Sequence, residues 1–81
     1  MSVVTVQLFA SYADLVGSST LEVPIQSGDT VRDLLYNMRL LPAASALPVI
    51  ARVAVNRAFA GENTTVGVGD EIALIPPVAG G

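Results

Sequence analysis

Chemistry has few places to reside in this chain. There is no cysteine and no histidine, which removes thiol nucleophiles, thiolate and imidazole metal ligands, and the imidazole base of a hydrolytic triad. Seven carboxylates, two tyrosines, scattered hydroxyls and four arginines remain. Asp70-Glu71 follows Gly69 and reads as a turn, not as a catalytic acid pair. Gly61, Gly67 and Gly69 lack the spacing that cradles a phosphate at a helix start. The remaining feature is the end, Pro76-Pro77-Val78-Ala79-Gly80-Gly81.

Two terminal glycines alone usually mark a frayed end. Here they follow an apolar segment and a stiff Pro-Pro step, and side-chain size shrinks from Val78 through Ala79 to Gly80. Five residues from Pro77 onward reach about 16 Å when extended. Glycines without Cβ let a backbone thread a narrow channel and leave the terminal carboxylate open to approach. A carboxylate becomes an electrophile once activated, for example as an acyl adenylate. A chain that offers its own terminus needs slimness and reach, and no Cys or His. Gly81 is the expected reacting residue and Gly80 its slim neighbour.

The elements that must position this tail are legible. Val3–Ala10 alternates, with Val4, Val6 and Leu8 on one side and Thr5, Gln7 and Phe9 on the other, which predicts a strand. Ser11–Gly17 reads as a short helical turn stopped by Gly17. Thr20–Ile25 is a second strand, and Pro24 suits it to a sheet edge. Thr30 with Asp33 three residues on forms an approximate capping box. Val31, Leu34, Leu35, Met38 and Leu41 then fall on one stripe of a helix ended by Pro42. Val49–Asn56 reads as a third strand, with Val53 and Val55 inward and Arg52 and Ala54 outward. A short strand at Thr64–Val66 and a last one at Glu71–Ile75 follow, and Pro76-Pro77 stops pairing. This order predicts an α+β domain over residues 1–76, a mixed sheet of four to five strands packed on one main helix, the ubiquitin-like β-grasp arrangement. Residues 77–81 form its flexible tail.

Composition sets the remaining bounds. The 81 residues hold one domain, 52% hydrophobic and 14% charged, with mean hydropathy +0.62. That surplus of apolar residues suggests an exposed patch for a partner. No stretch reaches the roughly 20 uninterrupted apolar residues of a membrane span, because Pro42, Pro48 and Arg52 break the longest. The start does not resemble a signal peptide, so a cytoplasmic protein is expected, and Asn63-Thr64-Thr65 is a chance glycosylation pattern. A net charge of −3, with four scattered arginines and no lysine, argues against nucleic acid and suits a basic partner.

The stretch from Val55-Asn56 through Gly69-Asp70-Glu71 to Pro76-Pro77-Val78-Ala79-Gly80-Gly81 resembles the small, sulfur-carrying subunit of molybdopterin synthase, the MoaD family. Leu8-Phe9-Ala10 and Leu15-Val16-Gly17 are similar too, so the likeness spans nearly the whole chain. Many relatives carry a basic residue near Ala13, where this chain has Ser11-Tyr12-Ala13-Asp14. The resemblance implies that a MoeB-type adenylating enzyme activates Gly81 with ATP and that a sulfur donor converts it to a thiocarboxylate. The tail then enters the molybdopterin synthase large subunit and gives its sulfur to cyclic pyranopterin monophosphate. On this view the large subunit supplies the catalytic side chains, and the chain is not catalytic alone and binds no cofactor. The family suggests two small and two large subunits.

If the helix covers the Val4/Val6/Leu8 face, Phe9 and Ile75 point away from it as an apolar patch beside the tail. The resemblance places the large-subunit interface there, with Pro76, Pro77, Val78 and Ala79 leading inward. Phe59 either joins that interface or closes a loop over the core. Rival readings are a carrier for cysteine or thiamine-thiazole synthesis, and a protein modifier joined to lysines through Gly81. Without lysine the chain could not form polymers of itself.

Overall fold

The computed structural model describes residues 2–45, 47 and 52–76. Five strands form one mixed sheet: β1 (Ser2–Leu8), β2 (Thr20–Ile25), β3 (Arg52–Val55), β4 (Ala58–Ala60) and β5 (Ile72–Ile75). Two helices, α1 (Ala10–Val16) and α2 (Val31–Arg39), and a short 3₁₀ turn at Pro42–Ala44 complete the elements. The spatial order is β2-β1-β5-β3-β4. β1 runs antiparallel to β2 and parallel to β5, and β5 runs antiparallel to β3. This is the β-grasp arrangement expected from the sequence, with β2 and β4 as its edges. Pro24 sits on the β2 edge as its missing N–H requires.

The period-2 pattern of β1 sorts its residues as expected: Val4, Val6 and Leu8 are buried, and Val3, Thr5 and Gln7 are exposed. α2 lays Val31, Leu34 and Met38 on the inner face, with Leu35 and Leu41 half-buried beside them. Ile72, Leu74 and Val53 complete the central contact, as expected. Each such side chain contributes about 1.5–3 kcal/mol on full burial. Tyr12, Val23, Ile25, Ala44, Leu47 and Val66 also belong to the core. These were not foreseen: β2 brings in Val23 and Ile25 by alternation, and the others enter singly from α1, the 3₁₀ turn and the loops.

The start of α2 is fully capped. The Asp33 N–H donates to Thr30 Oγ1, and the Thr30 N–H donates to Asp33 Oδ2 at 2.9 Å. Two further amides of the first turn find partners outside the helix: Val31 donates to the Thr64 carbonyl at 2.9 Å, and Arg32 to the Glu62 carbonyl at 3.0 Å. All these donors are therefore satisfied. Pro42 opens the 3₁₀ turn that follows the helix.

The same contacts correct one expectation. Thr64–Val66 is not a strand: its backbone serves the helix start, with a single bridge from Thr65 to Thr30 and Val66 N–H bonded to the Asp29 carbonyl. The short strand is instead Ala58–Ala60, the second arm of a hairpin whose turn is Asn56-Arg57. Both turn residues have positive φ, 52° and 70°, the signature of a type I′ turn. That turn usually carries glycine, and its absence here hid the hairpin. Of the expected strand at Val49–Asn56, β3 comprises Arg52–Val55, and residues 49–51 lie outside the described ones.

Candidate functional site

The sheet face turned away from α2 carries a groove of about 250 Å³. Its floor follows from register. Ala54 on β3 lies directly opposite Ala73 on β5, and Ala73 also faces Gln7 on β1. Two small side chains meeting on adjacent central strands leave a depression in an otherwise filled surface. Larger residues wall it: Phe9, Phe59 and Ile75. Arg57 and Glu71 close one end.

Each wall has a local cause. Phe9 continues the outward set of β1 in extended backbone (φ −122°, ψ 151°) before α1 begins. Ala10 then turns the chain at φ 48°, a conformation that costs a non-glycine residue about 1–2 kcal/mol. Phe59 sits opposite Ala54 in the β3–β4 pair and is 64% exposed. It therefore stands on the outer face and does not close a loop over the core. The Arg52 guanidinium lies over its ring, 4.7 Å from the centroid, a cation–π contact that steadies an exposed aromatic. Ile75 lies opposite Arg52 at the last residue of β5.

The end of the groove near Arg57 is held by a compact polar bracket. Asn56 Nδ2 donates to Asp70 Oδ1 at 3.1 Å, and the Glu71 N–H donates to Asn56 Oδ1 at 2.9 Å. Asp70 Oδ2 accepts from the Gly67 N–H at 2.8 Å. Arg57 Nε donates to Glu71 Oε2 at 3.3 Å. Asp70 and Glu71 thus shape a turn, as the sequence suggested, and tie the hairpin tip to the start of β5.

Of the residues singled out in the sequence, Phe9, Phe59 and Ile75 come together around this groove. Half-buried Pro76 follows Ile75 directly. Pro77, Val78, Ala79, Gly80 and Gly81 lie outside the described residues. Sequence reasoning missed the alanine floor and the part of Arg52; Arg57, like Arg39, was readable as a cation that could meet acidic groups on a partner, with a solvated surface position the favoured role. The outward direction of Arg52 and Ala54 was readable from alternation, but their neighbours across the sheet depend on strand order. Arg39 lies on the other side of the sheet with Arg32, Tyr36 and Glu62. There Arg32 pairs with Glu62 at 2.8 Å, and that hydrogen bond raises the guanidinium pKa further.

Among the described residues, no group of three carboxylate, Cys or His side chains is placed to hold a metal. No described helix is long and apolar enough to cross a membrane. The buried Tyr12 hydroxyl has no hydrogen-bond partner among the described residues.

Comparison with known proteins agrees with this architecture. Residues 6–81 match the ThiS family. The molybdopterin synthase sulfur carrier subunit of Arabidopsis thaliana is 30% identical over 79 residues, covering 96% of this chain and 82% of that protein. Small archaeal modifier protein 1 of Haloferax volcanii superposes with TM-score 0.81 at 30% identity, over 96% of this chain and all of that one. Subunit 1 of the molybdopterin-converting factor of Helicobacter pylori, solved in complex with subunit 2, is similar in fold (TM-score 0.67, 23% identity, 99% of this chain and 100% of that chain). With the fold, the groove and these likenesses in agreement, the chain belongs to the ThiS family of ubiquitin-like β-grasp sulfur carriers.

Proposed function

We propose that this chain is the sulfur-carrying subunit of a molybdopterin synthase, with Gly81 as the reacting residue. The observation that carries the reading is the match to the Arabidopsis thaliana sulfur carrier subunit over 96% of this chain. The groove supports it: Ile75 at the end of the last strand is one of its walls, so a protein seated there meets the chain at the point where the sheet ends. The Gly81 carboxylate attacks the α-phosphate of ATP on a MoeB-type enzyme, forming an acyl adenylate and releasing pyrophosphate. A sulfur donor displaces AMP and leaves a thiocarboxylate. The tail then enters the large subunit, whose side chains direct transfer of the sulfur to cyclic pyranopterin monophosphate, and the carboxylate returns after hydrolysis. The chain's own contribution is a slim, reachable acyl group and a surface that seats the partner.

The similarity to small archaeal modifier protein 1 favours a second reading, in which an activated Gly81 is joined to lysines of other proteins. One experiment separates the two. The chain is incubated with ATP, a MoeB-type enzyme and a sulfur donor, and weighed intact. The mass gain of one oxygen-to-sulfur exchange, followed by pterin conversion when the large subunit and cyclic pyranopterin monophosphate are added, supports the synthase. Amide-linked adducts on other proteins, with no pterin conversion, support the modifier. No mass gain under conditions that load an established carrier refutes the sulfur-carrier reading.

A further inference from the structure

The whole-chain charge of −3 suggests a basic partner, but the groove is charged the other way. Two of the four arginines, Arg52 and Arg57, stand on its rim. The other two, Arg32 and Arg39, belong to α2 on the opposite side of the sheet. Facing the rim pair is one carboxylate, Glu71, because Asp70 is turned into Asn56 and the Gly67 N–H. Glu22 lies on edge strand β2, beyond β1, away from the groove.

Neither rim cation is fully neutralised. Arg57 meets Glu71 through Nε alone at 3.3 Å, with the arginine side chain 85% exposed, and such an exposed pair is weak and exchanges readily. Arg52 pairs with no carboxylate among the described residues and lies across the Phe59 ring. Its planar guanidinium keeps its hydrogen-bonding edges available for a carboxylate while stacked. The two cations flank the floor alanines. Arg52 stands beside the Ile75 wall and Arg57 at the hairpin tip.

We infer that the groove recognises an acidic-apolar surface on the large synthase subunit: an apolar side chain seated on Ala54 and Ala73, with carboxylates on either side meeting Arg52 and Arg57. This rests on the proposed function and adds the chemistry of the partner. The apolar contact supplies most of the affinity, and the two arginines set the rate and orientation of encounter.

The test measures association of the large subunit with the full chain by stopped flow, across a range of salt. The variants are R52Q, R57Q and the double R52E/R57E, each checked for native circular dichroism. The charge reversal is expected to slow association about tenfold or more at low salt, with the curves converging at high salt where screening removes the steering. R52Q and R57Q should fall between, and the dissociation rate should change less than the association rate. Phe59→Leu, which removes the ring under Arg52 but keeps the charge, should retain the salt dependence. Unaltered binding by R52E/R57E, or faster association, overturns the inference and leaves the carrier reading intact. No binding by the unaltered chain removes both. A loss in the reversal that is independent of salt also overturns it, because the arginines would then act only by packing.

Discussion

The polar bracket behind the groove makes a quantitative prediction at Asn56. Its side chain donates to Asp70 at 3.1 Å and accepts from the Glu71 amide at 2.9 Å, while its backbone holds φ 52°. Asn56→Gly keeps the left-handed backbone at ease and removes only the two side-chain bonds. Exposed bonds of this kind contribute about 0.5–1.5 kcal/mol each, so a loss of about 1–3 kcal/mol is expected. Asn56→Ala removes the same bonds and also forces a Cβ residue into left-handed backbone, adding about 1 kcal/mol. Its total of about 2–4 kcal/mol is a large share of the roughly 4–12 kcal/mol expected for a chain of this length. Urea unfolding followed by far-ultraviolet circular dichroism reads both, as the chain has no tryptophan. Thermal midpoints should fall by about 4–8 °C per kcal/mol. If both variants lie within about 0.5 kcal/mol of the parent, the bracket contributes nothing beyond an ordinary surface contact. If Gly and Ala are equal, the turn is not strained and the type I′ account of the hairpin fails.

Thr30→Ala removes the capping box of α2 and should cost about 1 kcal/mol in the same unfolding assay. Leu34→Ala opens a cavity under a side chain only 1% exposed and should cost about 2–5 kcal/mol, enough to leave a marginal fold. Ile75→Asp places a charge on the groove wall and should abolish large-subunit binding, read by titration, with circular dichroism unchanged. Ala73→Leu fills the groove floor from a half-buried outer position. It should leave stability within about 0.5 kcal/mol of the parent while weakening large-subunit binding at least tenfold, whereas undiminished binding would show that the groove seats nothing.

What the sequence made readable depended on how local the signal was. β2 appears at Thr20–Ile25, the bounds the sequence suggested, with Pro24 on a sheet edge. The α2 start follows from two side chains three residues apart, Thr30 and Asp33, and needs no tertiary contact to be recognised. The Asn56-Arg57 hairpin escaped because its turn holds positive φ without glycine, and what stabilises it is a bond to Asp70, fourteen residues away. Thr64–Val66 looked like a strand from its β-branched composition, but its carbonyls and amides are committed to the helix start and to Asp29. Propensity lost there to the need of α2 for capped amides. The groove was half legible in the same sense. Alternation gave the outward side chains of each strand, while the meeting of Ala54 with Ala73 is a property of strand order alone.

The apolar surplus of the composition can now be divided. Exposed large hydrophobic residues among the described ones are Val3, Phe9, Leu15, Tyr36, Leu40, Phe59 and Val68. Phe9 and Phe59 both wall the groove, so the expectation of an apolar patch holds for the two aromatics, whereas Val3, Leu15, Tyr36, Leu40 and Val68 do not line it. Singly placed apolar side chains are ordinary on protein surfaces. The aromatics differ because the fold works to keep them outside. Phe9 is followed by Ala10 in strained backbone, and Phe59 stands on a strand reached through two more residues of positive φ and braced by Arg52. Left-handed backbone outside glycine is held only where surrounding structure enforces it. All three such residues found in the described chain, Ala10, Asn56 and Arg57, adjoin the groove or the hairpin that walls it. Asn56 and Arg57 hold the φ values that a type I′ turn requires and Ala10 turns the chain after Phe9, so the strain fixes where the two groove aromatics stand.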